Sequence, residues 1–68
     1  MNEPWLKGKW KEFKGKAKEE WGELTNDELD QVEGKREQLV GKIQQRYGRT
    51  RGEVEREVDA WERRHDLR

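Results

Sequence analysis

Residues 21–30 read WGELTNDELD and residues 47–56 read YGRTRGEVER: an aromatic, a glycine, a threonine, and a glutamate three places after the threonine, written twice in 68 residues. Thr25 with Glu28, and Thr50 with Glu53, have the spacing of a capping box. In that motif the hydroxyl accepts from the backbone N–H three residues on, and the glutamate accepts from the threonine's own N–H. Leu24 and Leu29 flank the first box as a hydrophobic staple. Each stretch therefore predicts the end of one helix, a short turn and the start of another. Gly22 and Gly48 are placed to end the earlier helices in the left-handed conformation.

The rest of the chain is read outward from these two turns. Leu6, Trp10, Phe13, Ala17 and Trp21 recur at steps of 4, 3, 4 and 4. At ~100° per residue they fall within an arc roughly 80° wide, which predicts an amphipathic helix over 5–21. Pro4 suits its first turn. After the first box, Leu29, Val32, Leu39, Val40, Ile43 and Tyr47 form a stripe that stays coherent with Arg36 inside it. Periodicity thus permits one helix over 26–47, with Gly34 as the candidate break. Val54, Val58 and Trp61 mark the apolar face of the last helix.

A shift of 26 residues superimposes Gly8-Lys9, Gly15-Lys16 and Gly22 on Gly34-Lys35, Gly41-Lys42 and Gly48, with Trp21 over Tyr47. This internal duplication favours a break at Gly34. The expected fold is all-α: a small bundle of about four helices built from two similar helix–turn–helix units, with a three-helix chain as the alternative.

Composition allows one small core in a single domain over 1–68. Leu, Ile, Val and Phe are 11 of 68 residues and mean hydropathy is -1.61, values that border on disorder. The 16 basic and 16 acidic residues cancel, however, and four Trp, one Tyr and one Phe can each bury a large area. Charge is segregated along the chain: residues 1–22 sum to +2, 23–33 to -5, 34–51 to +5 and 52–68 to -2. Alternating blocks favour pairing within the molecule or between subunits over the single-sign field of a polyanion binder. Cysteine is absent, no apolar run approaches the ~20 residues of a membrane span, and the first residues lack a secretion signal's apolar stretch. A reducing cytoplasm is the expected location.

Two surface patterns stand out. Gly8, Gly15 and Gly22, and again Gly34, Gly41 and Gly48, recur every seven residues opposite the apolar stripes. They read either as a track for close approach of another backbone or as exposed glycines in loosely held helices. Lys7, Lys11, Lys14 and Lys18 line helix 1 beside its apolar face, and Glu55, Asp59, Glu62 and Asp66 line the last helix at the same steps. Antiparallel packing would pair Lys7 with Asp66, Lys11 with Glu62, Lys14 with Asp59 and Lys18 with Glu55. The alternative is a pair of solvated faces. Trp5 falls off the apolar stripe, free to anchor the N-terminus or meet a partner. Trp5 and the four lysines are the candidate interaction surface.

Chemistry is harder to find. His65, the lone histidine, shares a face with Val54, Val58 and Trp61, where it borders the core or meets the last carbonyls of the helix. Without cysteine or a second histidine no metal site is expected. There is no serine, and both threonines are needed as caps, so no nucleophile–base arrangement offers itself. No enzyme activity, cofactor or small-molecule substrate is expected. WLKGKWKEFKGKAKEEW, residues 5–21, interleaves bases with aromatics as a nucleic-acid or lipid-surface segment does, but one stripe claims Trp10, Phe13 and Trp21 for the core.

Taken together, GKWKEFKGKAKEEWGELTNDEL and EGKREQLVGKIQQRYG, within residues 7–50, resemble the small bacterial CsbD-like stress proteins. The paired G-K phrases, the Trp-Gly before the Leu-Thr turn and the closing Tyr-Gly carry the likeness; VEREVDAWERRHDLR adds little. The resemblance implies a compact helical domain similar to SAM-like bundles, and a cytoplasmic protein accumulated under general or osmotic stress, with no established catalysis or ligand. The composition is similar to that of hydrophilins. The function read here is a non-catalytic stress protein that protects or contacts macromolecules through a hydrated surface, as a monomer or weak dimer with an unidentified macromolecular partner. The alternative is a nucleic-acid binding module served by the basic 34–51 block, which zero net charge disfavours.

Overall fold

The structure, a computed structural model, describes residues 5–65, apart from the side chain of Lys7. A 3-10 turn at Trp5–Gly8 leads into four α-helices: α1 (Trp10–Glu20), α2 (Asn26–Val32), α3 (Arg36–Tyr47) and α4 (Arg51–Arg64). The reading of Pro4 lies outside the described residues.

Both capping boxes form as the sequence predicts. Thr25 Oγ1 accepts from the Glu28 N–H at 3.0 Å and Glu28 accepts from the Thr25 N–H at 2.9 Å. Thr50 and Glu53 repeat the arrangement at 3.2 and 2.9 Å. The long middle segment breaks at Gly34, which takes φ 77°, preceded by Glu33 at φ 51°. The second unit therefore matches the first: shifted by 26 residues, the start of α1 falls on the start of α3.

The first helix departs from expectation in two places. Its first turn is separated from α1 because Leu6 and Gly8 take φ 59° and 78°, values that no right-handed helix contains. Gly8 therefore does for the first unit what Gly34 does for the second. At the other end Gly22 is not left-handed, although Gly48 is, at φ 67°. Instead α1 closes with the Trp21 N–H bonded to the Ala17 carbonyl at 2.8 Å, and the Lys18 ammonium reaches past the end to the carbonyls of Gly22 and Leu24.

Packing follows chain order, α1 on α2, α2 on α3 and α3 on α4. Trp21, Leu24, Leu29, Val32, Leu39, Val40, Ile43, Val54, Val58 and Trp61 are sealed from solvent. Phe13, placed by periodicity in the stripe, lies at the core margin, whereas Trp5, placed off it, packs against the core.

The two units are cross-braced by the residues the duplication superimposes. Trp21 donates its indole N–H to Glu57 of α4 at 3.1 Å, and the Tyr47 hydroxyl accepts from the Glu23 N–H in the first unit's turn at 3.1 Å. Arg49 joins the two braces, its guanidinium 4.7 Å from the centre of the Tyr47 ring and bonded to Glu57 at 2.6 Å.

Candidate functional site

Of the proposed lysine surface, Lys11, Lys14 and Lys18 do not pair with α4. Lys14 pairs with Asp30 of α2, Lys18 is spent on the carbonyls at the end of α1, and Lys11 stays exposed. The expected pairs Lys11–Glu62, Lys14–Asp59 and Lys18–Glu55 do not form; Lys7–Asp66 lies outside the described residues. The acidic stripe of α4 turns instead toward α3, where Arg36 binds Glu55 at 2.6 Å and Asp59 at 2.7 Å, with its Nε 3.6 Å from Glu62. Arg36 was visible in the sequence as the one charge inside an apolar stripe. A helical wheel gives each stripe's angular position but not which neighbouring helix it meets.

Trp5 packs against its own fold. Its ring stacks on Trp10 at 5.5 Å between centroids and leans on Trp61 at 6.1 Å, and its indole N–H donates to Glu62 Oε2 at 2.6 Å. Glu62 is only 4% exposed, so this carboxylate is held inside the fold by an indole and a guanidinium. His65 lies half-buried against Trp61, ring centres 5.6 Å apart and near edge-on, and its N–H closes α4 on the Trp61 carbonyl at 3.2 Å.

The arginines of the basic block are paired from within. Besides Arg36, Arg46 pairs with Glu28 at 2.7 Å, Arg49 with Glu57 at 2.6 Å and Arg51 with Glu55 at 3.1 Å, and Lys42 donates to the Gln31 side chain at 2.8 Å. The acidic 23–33 block and α4 thus supply the counter-charges. Glu28 is held below the ordinary carboxylate value first by the Thr25 backbone N–H and then by Arg46, and Glu55 by its hydrogen bond from Arg36.

An open groove of about 840 Å³ lies where the start of α1 meets the end of α2, lined by Gly8, Lys9, Trp10, Lys11 and Glu12 on one side and Asp30 and Glu33 on the other. Its walls carry both signs of charge and no nucleophile–base pair. Among the described residues no group of three metal-ligating side chains comes together, and no helix is long and apolar enough to cross a membrane.

Among the described residues nothing stands against the helix-interior glycines: a β-carbon at Gly15 or Gly41 would meet nothing within 4 Å. The heptad recurrence of G-K thus combines two different roles, left-handed breaks at Gly8 and Gly34 and helix interiors at Gly15, exposed, and Gly41, half-buried. No curated protein matches the chain. The family model described as CsbD-like matches residues 6–56, a span that holds both Gly-Lys breaks, both capping boxes and the cross-braced Trp21 and Tyr47. With that match over most of its length, the chain belongs to the CsbD-like family.

Proposed function

We propose that this CsbD-like chain is a small, non-catalytic general stress-response protein of the cytoplasm that acts by contacting or protecting other macromolecules. Its family carries the expectation of a general stress role. The observation that favours a hydrated, protective surface over nucleic-acid binding is the internal pairing of Arg36, Arg46, Arg49 and Arg51. Nonspecific affinity for nucleic acid comes chiefly from cations that displace counterions from phosphates. Here the arginines of the basic block already have carboxylate partners, so phosphate binding has to break ion pairs within the fold.

Two measurements test the reading. Labelled DNA and RNA are titrated at low and moderate salt, with weak or no binding expected; micromolar affinity with a steep salt slope reverses the assignment. A heat-sensitive enzyme is then warmed with and without the protein at matched mass against an inert globular control. Greater retained activity with the CsbD-like chain is expected, and activity equal to the control removes the protective role.

A further inference from the structure

The outward sides of α1 and α4 carry complementary residues at the same spacing. On α1, Glu12, Gly15 and Glu19 are exposed. At ~100° per residue they fall within an arc roughly 60° wide, nearly opposite the buried Trp10 and Ala17. On α4, Arg56, Ala60 and Arg63 are exposed and fall within a similar arc, nearly opposite Val54, Val58 and Trp61. Each face thus holds two like charges two turns apart, about 10 Å, with one small residue between them. Among the described residues, Arg56 and Arg63 are the arginines without an ion pair, whereas Arg36, Arg46, Arg49, Arg51 and Arg64 all have one. Arg56 has only a longer-range attraction to Glu53. Glu12 and Glu19 likewise form no ion pair among the described residues.

Gly15 lies three places after Glu12, and Ala60 three places before Arg63. When the two faces meet antiparallel, one register therefore sets Glu12 against Arg63, Gly15 against Ala60 and Glu19 against Arg56. A parallel arrangement also matches the charges, but it sets Gly15 level with Asp59 and Ala60 level with Lys16, whose longer side chains hold the helices apart. In the antiparallel register the two small residues meet at the centre, and the backbones approach closely enough for both flanking pairs to close. Within its own fold a β-carbon at Gly15 would meet nothing within 4 Å, so the glycine weakens the helix there without relieving any crowding. Both faces point away from their own core, so they meet only between molecules.

We propose that the Glu12–Gly15–Glu19 face of α1 docks antiparallel on the Arg56–Ala60–Arg63 face of α4 of a second copy of this chain. The contact is heterologous: each joined pair keeps one open face of each kind, and association continues past the dimer unless the rotation closes a ring. Exposed ion pairs are weak and screened by salt, so this self-association belongs to low salt and high protein concentration.

Sedimentation of the full chain from micromolar to millimolar protein, at low and at high salt, tests this. The average mass should rise with concentration at low salt and return to that of the monomer as salt is added. The charge reversals Glu12→Arg with Glu19→Arg, and Arg56→Glu with Arg63→Glu, should each weaken association about tenfold or more. Mixing the two double variants should restore it, since each then offers the face that the other lacks. Gly15→Leu should weaken association without lowering the thermal midpoint, because the added side chain has open space in the monomer. In labelled wild type, concentration-dependent amide shifts should centre on Gly15 and Ala60. A wild-type chain that stays monomeric at millimolar concentration in low salt overturns the proposal. So do association indifferent to either charge reversal, a mixture that does not associate, or amide shifts centred elsewhere. The spectra on wild type decide the matter even where a variant fails to fold.

Discussion

Arg36 and Glu55 meet at 2.6 Å across the boundary between α3 and α4, and the same guanidinium also holds Asp59 at 2.7 Å. One guanidinium therefore draws together carboxylates from successive turns of α4. Removing it takes a shared charge from carboxylates that lie partly out of water. Arg36→Leu should lower stability by about 2–3 kcal/mol, less than the ~3–5 kcal/mol for breaking a fully buried pair because this one is partly exposed. Lys14→Ala, which breaks the more exposed pair with Asp30, should cost at most about 1 kcal/mol. Urea unfolding of both variants checks the contrast, and equal losses contradict it.

Acid should destabilise the fold. Glu28, Glu53 and Glu55 all sit below their ordinary value of 4.5, the first two chiefly through capping-box N–H groups and the third through Arg36. Carboxylates depressed in the folded state contribute stability that is complete above the unfolded value and is lost as pH falls through the folded ones. The thermal midpoint should thus be flat near neutrality and fall below about pH 5. Glu28→Gln should flatten part of that fall. A midpoint unchanged between neutrality and strong acid refutes the assignment.

Gly15 and Gly41 lie inside helices with open space where a β-carbon would go. Gly15→Ala and Gly41→Ala should each stabilise the protein by about 0.5–1 kcal/mol by removing backbone freedom from the unfolded chain. Gly8→Ala and Gly34→Ala should destabilise, because both positions are left-handed. Thermal melts of the four variants separate the glycines that set the backbone from those that only loosen a helix.

The double variant Lys11→Glu, Glu62→Lys should show no restoration. Glu62 is taken up by Trp5 and Arg36, while Lys11 is exposed, so the losses should add within about 0.5 kcal/mol. A double-mutant cycle with larger favourable coupling would reinstate a direct contact.

Local signals were legible in the sequence, and long-range ones less so. Thr25, Glu28, Thr50 and Glu53 fix two helix starts because a cap depends only on residues three apart. Gly34 is legible as a break through its correspondence to Gly8, whereas the break at Gly8 itself is hidden, because the Leu6–Trp21 stripe keeps helical period straight through the reversal. The fate of Lys11, Lys14 and Lys18 depended on which helix lies beside α1. Two stripes of matching step and opposite charge suggest contact, yet Arg36, a single residue on a third helix, drew the acidic one away. Glu57, which receives both Trp21 and Arg49, had no local signature, since its partners lie outside its own helix.

The exchange of aromatic contacts between the halves also bears on how the molecule comes apart. Trp21 of the leading half is secured by Glu57 of the trailing half, while Tyr47 of the trailing half secures the turn that follows Trp21. Neither half keeps its own anchor when the other leaves. Despite its twofold ancestry in sequence, the helical body should melt in one all-or-none step, and a chain cut at residue 34 should yield two fragments that regain helix only when recombined.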